Sequence, residues 1–376
     1  MAYRRQRVDE DGALRDATRL HTERFTSAVA QLGDDSAAVR LGGVHALAGL
    51  ADDAPTRDLR QTCIDVLCAF LRLPYTAESD VSVFESDARH AYLALREVRH
   101  TVIRLIRNHL RLPPEHAHSW QGHDFDLTAV TFDGGDFSGA QFSGGTVDFR
   151  GARFSDGAVS FMGARFSGAE VLFVKAEFSG GTVNFMGAQF SGSIVIFAEA
   201  HCSGGTVDFR GAEFSDGTAD LSWAEFSDGT ADLSWAEFSG AAVDFGRAQF
   251  SGAAVCFNDT EFSGSAVQFE EAQFSGGTVQ FLNASFSGGT VYFGEAVFTG
   301  GLFHLGRATQ SSDGRIAFTG SESSGRVTFA QARFSGSTVN FTQALGPPPI
   351  GLVPLDGTPL PPGLSLSPAW YPTGAQ

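Results

Sequence analysis

Two hydrophobic periods divide this chain. Before about residue 112 the apolar positions recur at helical spacing, and after about residue 125 they recur every twelve residues. Leu14, Leu20, Phe25, Val29 and Leu32 predict a first helix from Gly12, stopped by Gly33, Asp34 and Asp35. Ser36 is placed to cap a second, AAVRLGGVHALAGLAD, whose stripe is Val39, Val44, Leu47 and Leu50 and which ends before Pro55. A third carries Leu59, Val66, Leu67, Phe70 and Leu71 and closes at Pro74. The fourth runs from about Asp87 to Leu110, with Leu93, Val98, Val102, Leu105 and Ile106 inward and Arg99, Arg104, Arg107 and Arg111 outward. Residues 1–112 therefore read as a small all-α domain of about four helices.

The second period opens at Phe142 with FSGGTVDFRGAR and continues with FSDGAVSFMGAR. One Phe column keeps this register from Phe142 to Phe298, with Cys202 standing in once, and returns at Phe334. A second runs from Phe149 through Phe293 to Leu305, with Leu221 and Leu233 in place of Phe. Fixed-period self-similarity on this scale predicts a solenoid, in which each unit packs against its neighbours. Phe suits such a core because it buries a large area and brings no polar atom that needs a partner.

Leu127, Phe132, Phe137 and Phe142 follow at a spacing of five, and a small residue stands two positions before the aromatic at Ala140, Ala152 and Ala164, and so on to Ala332. This resembles the pentapeptide-repeat family over about Phe125 to Leu345. The resemblance implies a mainly β fold, a right-handed parallel β-helix of quadrilateral section with four pentapeptides to a coil, over residues 125–345. Here the Phe spacing alternates between seven and five, so the extra small residues of FSGGTVDF are expected to widen every second corner. Twelve-residue half-coils then give a coil of twenty-four. Eight or nine coils stacked at ~4.8 Å make a rod on the order of 40 Å long. Between Thr309 and Gly325 the pattern breaks, with Gln310 and Glu322 at Phe positions and Phe318 out of step. One coil with a bulge accounts for that, before the register resumes at Phe329, Phe334 and Phe341. In the helical domain, Asp followed by Val-Arg and a small-residue helix resembles one unit of a HEAT or armadillo repeat, a pattern that other helical hairpins share.

Residues 113–124 read as a linker carrying His116, His118 and His123. Three histidines so close are a possible metal set, but no Cys or patterned carboxylate completes it, and an exposed connector is expected. Residues 346–376 are Pro-rich and not expected to continue a ladder, because Pro lacks the donor. Ile350, Leu352, Val353, Leu355 and Trp370 either cover the open end of the solenoid or belong to a disordered tail, and a polyproline ligand is a further alternative.

The formal charge of -17 excludes a general affinity for nucleic acid or anionic lipid, so direct nucleic-acid binding is not expected. A partner surface should be basic or indifferent to charge. Cys63, Cys68, Cys202 and Cys256 are too scattered for a disulfide framework. The N-terminus has no apolar core for a signal peptide and no run approaches a membrane span, so a cytoplasmic protein is expected. P-loop, GxSxG, HExxH and EF-hand patterns are all lacking, which predicts no enzyme activity, no cofactor and no metal.

Surface patterning carries the functional expectation. Asp208, Glu213, Asp216, Asp220, Glu225, Asp228, Asp232, Glu237 and Asp244 follow one another with Arg210 as the only nearby cation in sequence, an acidic band around the middle of the rod. Within it FSDGTADLSWAE occurs twice, and Trp223 and Trp235 occupy a column of small or charged residues, so both indoles should be exposed on opposite sides. Exposed Trp beside carboxylates has the composition of a binding hot spot. These eleven residues are the candidate partner-binding set of a non-enzymatic protein-protein interaction or scaffold protein. The family resemblance implies an alternative: a DNA mimic that binds DNA gyrase or another type II topoisomerase and protects it from inhibitors.

Overall fold

The computed structural model describes residues 2–76, 86–287 and 290–305, with shorter pieces as far as residue 370. Phe318 and Phe329 of the expected break, and Ile350, Leu352, Val353 and Leu355 of the tail, lie outside the described residues.

Four helices precede the rod: α1 (Ala2–Leu32), α2 (Ala37–Asp52), α3 (Arg57–Arg72) and α4 (Ser86–Leu110). The first begins ten residues before Gly12, a stretch whose composition lacks the apolar period that marks the rest. It crosses α2 so closely that a β-carbon on Gly43 would lie 2.5 Å from the Leu32 nitrogen. Val44, Leu47 and Leu50 follow Gly43 into that seam, whereas Leu20, Val29, Val39 and Leu93 fall outside it and are exposed. Ser36 sits at the N-cap without a side-chain bond, and Thr56 caps α3 by accepting the Leu59 amide at 3.3 Å. Arg99 corrects the expected outward row: it is buried, stacks over Tyr75 at 4.0 Å and donates to the carbonyls of Leu71 and Thr131, each at 2.7 Å. The reason is its place at the seam, where it ties α3 and α4 to the first coil.

Residues 113–118 are exposed, as expected of a connector, but the second half of the 113–124 segment is packed in. Trp120 is buried and stacks on His109 at 4.1 Å, and Arg60 draws the segment in through the carbonyls of Ala117 and Ser119 at 2.7 and 3.3 Å.

The rod is a four-sided parallel solenoid. A representative coil has strands Thr146–Asp148 on side one, Arg153–Phe154 on side two, Ala158–Ser160 on side three and Arg165–Ser167 on side four. Side one builds an eleven-stranded sheet and side four a nine-stranded one. Sides two and three join into a sixteen-stranded sheet through the long strands His201–Asp208 and Glu225–Asp232. Neighbouring coils pair twenty-four residues apart, as Gln141 does with Arg165 and Gln189 with Glu213. The expected widened corner is corrected. The extra residues supply a strand of their own, which turns Val147, Val171 and Val195 inward on side one. At the irregular coil, Thr290 pairs with Arg315 and Arg315 with Thr338, one residue more and then one fewer than the regular register. The overall length is thereby kept, as expected.

Four aromatic columns run up the interior. On side four Phe142, Phe166, Phe190, Phe214 and Phe238 stack face to face at 4.7–4.8 Å. Between residues 125 and 298 the other three columns are each interrupted once, by Cys202, Leu221 and Leu233, while Ala219 and Ala231 replace Val at the same level. Cys202, Leu221, Ala231 and Leu233 line one apolar cavity of about 30 Å³.

The near end is covered by helices, and at the far end the described residues extend side one, both of which reduce the open edge a solenoid would otherwise present. At the far end Leu364–Ser365 adds a last strand beside Val339 and Asn340, and Trp370 packs on Phe341 at 5.4 Å. This corrects the expectation that the tail adds nothing to the ladder, since no Pro falls between 363 and 367. At the near end α3 and α4 seal the first coil, and a β-carbon on Gly135 would lie 3.0 Å from Ile103. Arg72–Asp126 and Arg107–Asp136 ion pairs flank the junction. At its centre Asp133 accepts from the hydroxyls of Tyr75 and Tyr92, each at 2.6 Å.

Two titrating groups make this junction sensitive to acid. Burial, then the nearby Arg57 and Arg60 charges, push the His123 imidazole down from 6.5 to about 4. The folded state holds it neutral, so its contribution is intact above about pH 6.5 and is lost as pH falls toward 4. Burial opposes ionisation of Asp133, but hydrogen bonds from His100, Tyr75 and Tyr92 outweigh it and hold the carboxyl well below the usual range. That contribution is present above the ordinary carboxylate pKa of about 4 and fades below it. Acidification is therefore expected to loosen the junction in two stages while the middle coils hold, as read by amide hydrogen exchange of residues 120–135 against residues 238–262.

Candidate interaction surface

The eleven candidate residues encircle the rod instead of forming one face. Asp220 and Asp244 end strands of side one, and Trp223 stands at the corner leading to Glu225 on side two. Asp228 occupies the next corner, Asp208 and Asp232 end strands of side three, and Trp235 stands at the corner leading to side four. Glu213 and Glu237 open strands of side four, and Asp216 lies at the corner after it.

Four of these carboxylates shape the corners. Asp208, Asp220, Asp232 and Asp244 each accept the amide two residues on, from Arg210, Ser222, Ser234 and Gly246, at 2.7–3.0 Å. The side chain closes the turn as an Asx motif, and Asp126, Asp136 and Asp148 do the same earlier in the rod. Asp208 departs furthest from the outward placement expected of it. It is buried, and its ionised form is held below the usual range despite that burial by the side chain and backbone N–H of Arg210. The strand-end Asp recurs at twenty-four-residue spacing, a signal available in the sequence once the coil length is known.

The two tryptophans sit in different electrostatic settings. Both hold left-handed backbone, at φ 59° and 58°, and are 51 % and 60 % exposed. Trp223 lies on an edge whose carboxylates have side-chain partners. Arg247 stands over its ring at 5.0 Å and pairs with Glu271 at 2.8 Å, Lys175 pairs with Glu199 at 3.4 Å, and His201 with Glu225 at 3.0 Å. Arg247 and Lys175 correct the expectation that Arg210 alone is near. Their partners lie one coil away, out of sight in the linear sequence.

Trp235 borders a different surface. On side four Glu213, Glu237 and Glu261 stack in register, all exposed. Gln189 donates to Glu213 at 3.0 Å, and among the described residues no side chain pairs with Glu237 or Glu261. Exposed Asp259 follows Trp235 in its own column, and exposed Asp216 lies across side four. Like charges directly opposite one another destabilise a sheet, so this ladder opposes the fold that carries it. Glu261 and Asp259 lie beyond the band as read from the sequence, and their twenty-four-residue offset from Glu237 and Trp235 is the signal that finds them.

Other candidate chemistry is occupied. His123 bonds Gln61 at 2.8 Å and is buried, while His116 and His118 are exposed. Among the described residues no group of three His, Cys, Asp or Glu is placed to hold a metal. Burial raises the thiol of Cys63 to about 11 and that of Cys202 to about 12, so both stay protonated. No helix among the described residues is long and apolar enough to cross a membrane. No protein-family model, curated protein or solved structure matches the chain.

Proposed function

We propose that this is a non-enzymatic interaction or scaffold protein of the pentapeptide-repeat type, whose rod docks a basic surface of a partner protein along side four. The observation that carries this reading is the unneutralised Glu213, Glu237 and Glu261 ladder beside exposed Trp235. A row that costs the fold energy and offers a partner both area and charge is suited to recognition. The gyrase-binding alternative draws on the net charge of -17 and the rod shape. The ion-paired edge at Trp223 counts against it, since a DNA mimic should be acidic along two rows.

A variant carrying Trp235→Gly and Glu237→Lys tests the reading without harming the fold. Relief of left-handed strain is worth about 1–2 kcal/mol and glycine's chain entropy costs about 0.5–1 kcal/mol, so stability should hold or rise slightly. Native capture from lysate, compared by mass spectrometry, is expected to lose its main partner by about tenfold with the variant. Equal capture by both proteins sinks the proposal. Capture of gyrase subunits, followed by protection in a supercoiling assay, would shift it to the alternative.

A further inference from the structure

Side one carries an apolar patch that the charge pattern does not explain. Its outward columns read Asp148, Leu172, Ile196, Asp220, Asp244 and Thr146, Glu170, Ile194, Thr218, Ala242. In two consecutive coils, therefore, aliphatic side chains replace the polar or small residues of the coils on either side. Ile194 is 49 % exposed, Ile196 and the adjoining corner residue Val174 are half-buried, and Leu172 lies beneath them. The core does not need these side chains, because Val171 and Val195 of the same strands already point inward.

The rim of the patch is acidic. Glu170 is exposed and Asp220 and Asp244 are half-buried, and among the described residues none of the three is in an ion pair. The nearest cations are committed, Arg150 to Asp148 and Lys175 to Glu199 at 3.4 Å.

We propose that side one docks an amphipathic segment of a partner protein that presents a pair of aliphatic side chains between basic ones. Charge complementarity selects this occupant over a second copy of the chain. A second copy would bring the same acidic rim and a further net charge of -17 against this face, so like charge opposes self-association there. Anionic lipid is disfavoured on the same ground. Nothing here depends on side four, which lies round the next corner.

The probe is a labelled helical peptide with two isoleucines one turn apart and arginines a turn beyond on each side. Its controls replace the arginines by glutamate, or the isoleucines by serine. Fluorescence anisotropy against the full chain should show binding of the arginine peptide, weakened about tenfold or more by either control and by Ile194→Asp. Glu170→Lys should also weaken it, and because that residue is exposed, a folding defect cannot mimic the effect. Trp235→Gly with Glu237→Lys should leave it unchanged, which separates this surface from side four. The proposal fails if the arginine and glutamate peptides bind alike, or if Ile194→Asp binds as the parent does. A concentration-dependent dimer in sedimentation that Ile194→Asp abolishes would overturn it in favour of a second copy.

Discussion

Asp133→Ala is expected to destabilise the joint between helices and rod by about 3–5 kcal/mol, the usual cost of removing one partner from a buried charged network. The carboxylate is only 3 % exposed. Two tyrosine hydroxyls meet it at 2.6 Å, and Arg96 and His100 approach to 3.4 Å. Alanine removes the acceptor of the two tyrosine hydroxyls, and each polar group left unpaired in a buried site costs about 1–3 kcal/mol. Asp133→Asn should cost less, because one oxygen can still accept from a tyrosine. The effect should be local, since a solenoid's stability sums over neighbouring units. Denaturant unfolding should show a new early transition, and hydrogen exchange should place it in α4 and the first coil. A single unshifted transition would mean that the helices add nothing to the rod's stability.

The architecture was legible because its signals are periodic. A twelve-residue repeat with Phe spacings of seven and five predicts two sides per unit, and the registry of Gln141 with Arg165 follows from it. Helices α2 to α4 were legible from caps and prolines within a residue or two. What the linear pattern hides is contact across elements. Arg99 looks like one of an outward basic row, yet it is buried because the solenoid's first coil meets α4 there. The inward valines were missed because a Phe-to-Phe count passes over Val147.

The candidate surface was legible only in part, for the same reason. Reading along the chain groups Asp208 with Glu213, although one closes a buried corner and the other faces solvent on the next side. Reading at an offset of twenty-four groups Glu213 with Glu237 and Glu261, and pairs Arg247 with Trp223. Neighbours in a solenoid are separated by one coil, so electrostatics must be summed along columns. The duplicated FSDGTADLSWAE unit shows both sides of this. It places two tryptophans at left-handed corners, and it thins the core by putting Ala219, Leu221, Ala231 and Leu233 where other coils carry Val and Phe.

That thinned level lies beside the strongest column, which sets up two substitutions of opposite sign. Phe238 is buried between Phe214 at 4.8 Å and Phe262 at 5.1 Å. Phe238→Ala is expected to cost about 3–5 kcal/mol, at the full value for a buried aromatic, because coils pinned by their ladders cannot collapse into the hole. Leu233→Phe should instead rebuild the column between Phe209 and Phe257 and fill the cavity of about 30 Å³. At about 24 cal/mol per Å³ that gains only about 0.7 kcal/mol, so the loss should exceed the gain several-fold. Chemical denaturation of the two variants measures both. A cost below about 1 kcal/mol for Phe238→Ala would show that the interior relaxes. If Leu233→Phe destabilises, the level around the duplicated unit is already closely packed, and the thinning argument fails with it.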